Sequence, residues 1–217
     1  MNEITPNETV YTAKPAEGGC AECHGIRPSS LDPQLWQTPI IQVDTDSQNL
    51  TLLGRKAKTG VLEGAGFDDG GPLLPEDTAL RVLNNAVIGT ILQSPAPTRT
   101  ARDEVTLRRT FRSSEGGYEA RVLEGVWAAA PYLHNGSVPT LTELLKPAAE
   151  RVSSFKVGLA YDPIAVGLAK EQTQFSTTLT TTDCSDRGSG NSRCGHEYGT
   201  TLSETEKKAL LEYLKSL

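Results

Sequence analysis

Cys20-Ala21-Glu22-Cys23-His24 is the stretch that decides how this 217-residue chain reads. It is C-x-x-C-H, the attachment signature of a c-type heme. Two thiols three positions apart can add to the two vinyl groups on one edge of a porphyrin. The adjacent His24 then lies under the iron as the proximal ligand. Competing readings fit less well. A dithiol redox motif opens a helix after a buried strand, and Glu17-Gly18-Gly19 ahead of Cys20 is no strand. A zinc site needs further ligands at close spacing, but Cys184 and Cys194 stand ten positions apart and no H-x3–5-H occurs. The motif therefore predicts one covalent heme c.

Working outward, composition bounds the rest. Hydrophobic residues make up 37% and charged residues 22%, enough to bury a core and too apolar for a disordered tail. With 20 Gly and 13 Pro the fold should be rich in loops. The net charge of −6 argues against a nucleic-acid surface, which needs clustered Lys and Arg. No run approaches the roughly 18 apolar residues of a membrane span, so no transmembrane segment is expected. The first twenty residues lack an apolar core and a basic start, so they are not a signal peptide. A mature form, or a piece of a longer precursor, fits that start. Cys184 and Cys194 flank the Gly/Ser-rich run of residues 185–193 and suit a disulfide in an oxidising compartment. Heme attachment also points outside the cytosol, so a periplasmic or extracellular location is expected.

The sixth ligand is approached by elimination. Many electron-transfer cytochromes use Met there, but the only methionine is Met1, in a polar tail. His134, in Ala130–Thr140, and His196, in Cys194-Gly195-His196-Glu197-Tyr198-Gly199, remain. Pattern alone does not rank them, and Lys, Tyr or an open position stay as outsiders. His24 also needs an acceptor for its other ring nitrogen. Gly25 and Pro28 follow it closely, and a carbonyl of Pro28 or a neighbour is a candidate.

Several segments together resemble a known family. They are CAECHG, ARVLEGVWAAAPYLHNGSVPTLTELL (residues 120–145), Lys156–Pro163, CGHEYGT and the ending LSETEKKALLEYLKSL. They are similar to the C-terminal cytochrome c domain of proteins related to bacterial di-heme cytochrome c peroxidase and the rubber oxygenases. The similarity runs from Cys20 to Leu217 and is weaker between about Asp46 and Ser114. It implies thioether roles for Cys20 and Cys23 and the proximal role for His24. It places His134 near the heme edge, hydrogen-bonded rather than ligating, and favours His196 as distal ligand. Arg121, in A-R-x-L-x-G-x-W, looks suited to pair a heme propionate. Trp127 in that string and Tyr132 in P-Y-x-H-x-G are carried over as cofactor-binding positions. Such relatives hold two C-x-x-C-H motifs; this chain has one, so complete di-heme peroxidase machinery does not fit. Cys184 and Cys194 look like additions, and a bridge between them would pin the loop presenting His196.

The predicted fold class is mainly α: a cytochrome c-like domain enlarged by long loops, with room for a small β-hairpin. Residues 1–19 read as a polar arm and residues 20–217 as a single mono-heme domain. Leu31–Leu53, with Trp36, Ile40, Ile41 and Val43, suggests short irregular pieces over the heme. Gly64–Pro72 reads as a loop, and Asp68 and Asp69 lack the spaced carboxylates of a calcium loop. Leu80, Leu83, Val87 and Ile91 recur at helical spacing and predict a helix over residues 76–92. Segment 98–119 is charged, with a short strand in VTLRRTFR. Thr140 with Glu143, and Ser203 with Glu206, form capping boxes. Behind the second, Leu210, Tyr213, Leu214 and Leu217 line one helical face.

Two functions follow as expectations. One is an electron-transfer module with a bis-His heme, serving a redox partner protein with a basic surface. The other is a mono-heme peroxidase or oxygenase with an open sixth position, where His134 or Glu197 acts as acid–base. A third possibility is the electron-transfer part of a larger di-heme peroxidase-like protein.

Overall fold

A computed structural model describes residues 6–12, 20–25, 40–67, 70–93, 117–175 and 177–217. The expectations for Pro28, for residues 31–39 including Trp36, for Asp68 and Asp69 and for VTLRRTFR lie outside these. The chain divides into two compact units, one from Met1–Ser47 with Gly117–Leu217, the other from Gln48–Gly116.

The first unit carries the C-x-x-C-H motif. Its helices are α1 (Pro6–Thr12), α2 (Cys20–His24), α5 (Leu141–Leu144) and α6 (Glu204–Leu214). Its strands form three two-stranded antiparallel sheets. β1 (Ile40–Ile41) pairs with β4 (Tyr118–Glu119), β5 (Ser154–Val157) with β8 (Thr177–Thr180), and β6 (Tyr161–Asp162) with β7 (Gly167–Leu168). The second unit holds α3 (Gln48–Gly54), the antiparallel pair β2 (Lys56–Lys58) and β3 (Glu76–Thr78), and α4 (Ala79–Gln93).

The expectation of a mainly α fold is corrected here. Short helices share the described residues with four small antiparallel sheets and long irregular connections. The reason is local. Between Gly117 and Ser203 the apolar positions hold no helical period long enough to propagate beyond the four residues of α5. The backbone there instead satisfies its polar groups through side chains and isolated bridges.

Where helices form, their caps are legible. The Thr140 hydroxyl accepts the Glu143 amide at 3.1 Å to start α5, and Pro147 follows its end. At α6 both halves of the capping box are made: Ser203 Oγ accepts from the Glu206 amide, and the Ser203 amide donates to the Glu206 carboxylate. Leu210, Leu211 and Leu214 of α6 are buried against Tyr11, Tyr132, Val138, Leu141, Leu145 and Val166. Tyr11, 1% exposed, is the anchor of α1: its ring lies 5.0 Å from that of Tyr213, and its hydroxyl donates to the Gly25 carbonyl at 2.8 Å. Helix α1 thus packs on α6 and holds the end of α2 through Tyr11.

In the second unit the helix expected over residues 76–92 begins three residues later, because Glu76–Thr78 is taken by β3. Its fully buried positions are not the apolar ones that mark it as a helix. Leu80, Leu83 and Val87 are exposed, whereas Asn85 and Gly89 are buried. Asn85 accepts the Phe67 amide at 2.7 Å and donates to the Arg81 carbonyl, and the Phe67 ring lies where a side chain at Gly89 would start.

Candidate functional site

A cavity of about 430 Å³ opens within the first unit. That volume lies in the range of roughly 300–1,000 Å³ common to cofactor pockets. Its wall is largely apolar: Ile41 and Val43, Leu123 and Val126, Leu141, Leu144 and Leu145, and Leu210 and Leu214. Cys20, Cys23, His24, Tyr132, His134 and His196 also line it. Six of the sequence-predicted site residues therefore meet in one place, although His134 and His196 are 62 positions apart in a chain of short elements.

Cys20–His24 forms one helical turn, ended by Gly25 at φ 67°. Both thiols are half-buried, and burial pushes that of Cys20 above its ordinary range. His24 Nδ1 lies 2.6 Å from the carbonyl of Arg121. A carbonyl only accepts, so Nδ1 carries the proton and Nε2 keeps the lone pair. The acceptor expected from the Pro28 loop is thus supplied from 97 positions away.

His196 sits on a tightly constrained corner. Its φ is 51°, in the left-handed region, and its amide donates to the Val43 carbonyl at 2.8 Å. Gly195 before it has φ 79°, and a Cβ there would lie 2.3 Å from the Asp44 carbonyl carbon. Only glycine lets the two backbones approach so closely. The His24 and His196 rings have centres 6.1 Å apart and planes inclined at 51°. Tyr198 meets the His196 ring edge-on at 5.3 Å. His196 Nδ1 is buried without a hydrogen-bond partner among the described residues. Burial, and then the neighbouring His24, hold its pKa down at about 4, and burial lowers that of His24 as well. Both rings are therefore neutral at pH 7, the state in which imidazole binds a metal.

The other predicted positions divide. His134 is exposed at the cavity wall and stacks on Tyr118, with centres 3.7 Å apart and planes at 14°. Tyr132 is 6% exposed, and its hydroxyl lies 3.1 Å from the carbonyls of both Val126 and Val166. Arg121 points its side chain outward, pairing with Glu119 at 3.4 Å, while its carbonyl serves His24. Trp127 is 44% exposed and does not line the cavity; its carbonyl accepts from Tyr161.

Two residues that carry no motif organise the site. Asp46 is 1% exposed, and its carboxylate accepts from the amides of Gly190 and Ser192 at 2.9 and 3.0 Å. Arg151 is 3% exposed and donates to backbone carbonyls around His196. A lone Asp among Asp44-Thr45-Asp46, or a lone Arg after Glu150, gives no pattern that could have found them. The disulfide expected between Cys184 and Cys194 is present and closes the segment ahead of His196.

Residues 117–156 match the protein-family model described as RoxA-like, cytochrome c-like, in agreement with the resemblance read from the sequence. The segment similar to that cytochrome c-like model includes the His24 acceptor and much of the cavity wall. Among curated proteins it is similar to the uncharacterized protein y4iJ of Sinorhizobium fredii (strain NBRC 101917 / NGR234), with 32% identity over 219 residues. That match spans 93% of this chain and 35% of y4iJ. The uncharacterized protein y4iM of the same strain is 42% identical over 110 residues, 46% of this chain and 24% of that protein. The chain therefore spans about a third or less of the length of these relatives. A cytochrome c-like domain implies heme c, and the described residues fit it: a thiol pair, an oriented imidazole and an apolar cavity of suitable size. No helix among the described residues is long and apolar enough to cross a membrane.

Proposed function

We propose that the chain is an electron-transfer cytochrome domain that binds one heme c covalently through Cys20 and Cys23, with His24 and His196 as its axial ligands. The observation that carries this reading is the pair of neutral imidazoles with ring centres 6.1 Å apart. Two imidazoles bonding one metal ion from opposite sides at about 2 Å bring their ring centres to about 6 Å. When bound, the heme supplies one-electron chemistry by cycling between Fe(II) and Fe(III).

The chain's own residues do the rest. The Arg121 carbonyl fixes the tautomer and orientation of His24. The Val43 carbonyl and the Gly195 corner fix His196. Leucines of α5 and α6 exclude water from the cavity wall, which keeps reorganisation on electron transfer small. With both imidazoles bound, His24 and His196 would leave no open position for peroxide or oxygen and would favour a lower potential than a His/Met pair. Glu197, considered above as an acid–base group, spends a carboxylate oxygen on the Ala148 amide at 2.8 Å.

The net charge of −6 suits a redox partner with a basic surface. The disulfide suits a periplasmic or extracellular location. In a longer protein, such as the relatives it matches, the same domain would serve as the electron-transfer part.

The test is substitution of each histidine in the holoprotein. His196→Ala should open the iron to exogenous ligands, whereas His134→Ala should leave it low-spin. The reverse result would overturn the ligand assignment.

A further inference from the structure

The buried guanidinium of Arg151 lies beside the loop that presents His196. It is 3% exposed, and all its nitrogens are engaged by backbone carbonyls. Nε donates to Lys146 at 3.1 Å and Nη1 to Arg193 and Gly195, both at 2.8 Å. Nη2 donates to Leu144 at 3.3 Å and to His196 itself at 3.1 Å. One side chain thus ties the end of α5, which lines the cavity, to Arg193, Gly195 and His196. A buried, fully hydrogen-bonded guanidinium is rigid, and its fork geometry cannot be reproduced by an ammonium.

An earlier stretch of the same loop is held by a charge of the other sign. The Asp46 carboxylate takes the amides of Gly190 and Ser192. The segment therefore has its amides drawn to an anion and, a few residues on, its carbonyls drawn to a cation. Among the described residues every hydrogen bond of Arg151 goes to a backbone carbonyl, although Glu197 and Glu143 lie near enough to favour its charge. Its bonding is spent on backbone position.

We propose that Arg151 is the positioning residue of the distal ligand: its guanidinium holds His196 on the iron and places a fixed positive charge beside it. This rests on the assignment of His196 made under Proposed function. A cation fixed near the iron disfavours the ferric state, so it raises the reduction potential. A tethered carbonyl at His196 slows release of the imidazole, so it slows entry of any competing ligand.

The test compares holoprotein as wild type, Arg151→Met, Arg151→Lys and, as a core control that does not line the cavity, Val138→Ala. The rate of cyanide binding to the ferric iron and the midpoint potential are measured on each. Both Arg151 variants should bind cyanide at least tenfold faster than wild type, while Val138→Ala stays within twofold. Arg151→Met should lower the potential, and Arg151→Lys, which keeps the charge but not the fork, should leave it near that of wild type. Should Arg151→Met fail to accumulate, the cyanide rate of Arg151→Lys decides. A rate within twofold of wild type in Arg151→Lys, or equal acceleration in the core control, overturns the proposal. So does an unchanged potential in Arg151→Met. A wild-type protein that is already high-spin removes the assignment of His196 and this inference together; a low-spin wild type with indifferent Arg151 variants removes the inference alone.

Discussion

Gly195 has no room for a side chain. Its φ of 79° and the Asp44 and Thr45 backbone where a Cβ would sit both forbid one. Gly195→Ala should cost at least about 1–3 kcal/mol, the usual range for a residue forced into such a region. It should also displace His196, so urea denaturation and the fraction of high-spin iron should change together. Asp46→Ala removes the acceptor of two amides, that of Ser192 being buried, which costs about 1–3 kcal/mol. The same urea midpoint measures it. At this scale the sequence was uneven. Cys20, Cys23 and His24 were legible because covalent attachment to one porphyrin edge dictates their spacing. Arg121 was noticed for its side chain, yet its described bond to His24 is made by the carbonyl, which every residue carries. Asp46 and Arg151 act on backbone groups distant in sequence, so no local pattern marks them.

Among the elements, α6 and α5 were readable because a hydroxyl three residues before a carboxylate is itself the signal for a helix start. Ser203→Ala should destabilise the protein by about 1 kcal/mol, seen as a shifted denaturation midpoint with unchanged slope. α4 is readable as a helix, but its buried positions are not marked in the sequence. Periodicity marks apolar positions, but in the second unit Asn85 and Gly89 are buried because they receive the Phe67 amide and ring. The loop closed by Cys184 and Cys194 is ten residues long by separation. Replacing both by Ser should cost about 2–4 kcal/mol on the chain-entropy account. The loss is read by comparing denaturation midpoints. The mainly α expectation failed for a related reason. Helix signals are local and visible, whereas the bridges and side-chain bonds that hold residues 117–203 are long-range and leave little trace in sequence.

For the molecule as a whole, acid sensitivity follows from the two buried imidazoles. His196 is held at about 4 against 6.5 in the unfolded chain, and His24 is lowered in the same direction. Before a metal occupies the site, the unfolded chain binds more protons than the folded one between pH 6.5 and about 4. The contribution of these rings is therefore intact above pH 6.5 and lost as pH falls through that window. Guanidinium denaturation of the heme-free chain at pH 7.5 and pH 5 should show the lower midpoint in acid. The net charge of −6 acts at longer range. Reduction by a basic partner should slow as ionic strength rises, and stopped-flow rates that ignore salt would count against that steering. The most direct measurement is the ferric optical and EPR spectrum of the purified holoprotein at neutral pH. A low-spin spectrum of two imidazole ligands, unchanged on brief exposure to peroxide, is the result predicted here. A high-spin spectrum that shifts at once on adding cyanide or peroxide, or a protein that carries no heme after expression with a maturation system, would contradict it.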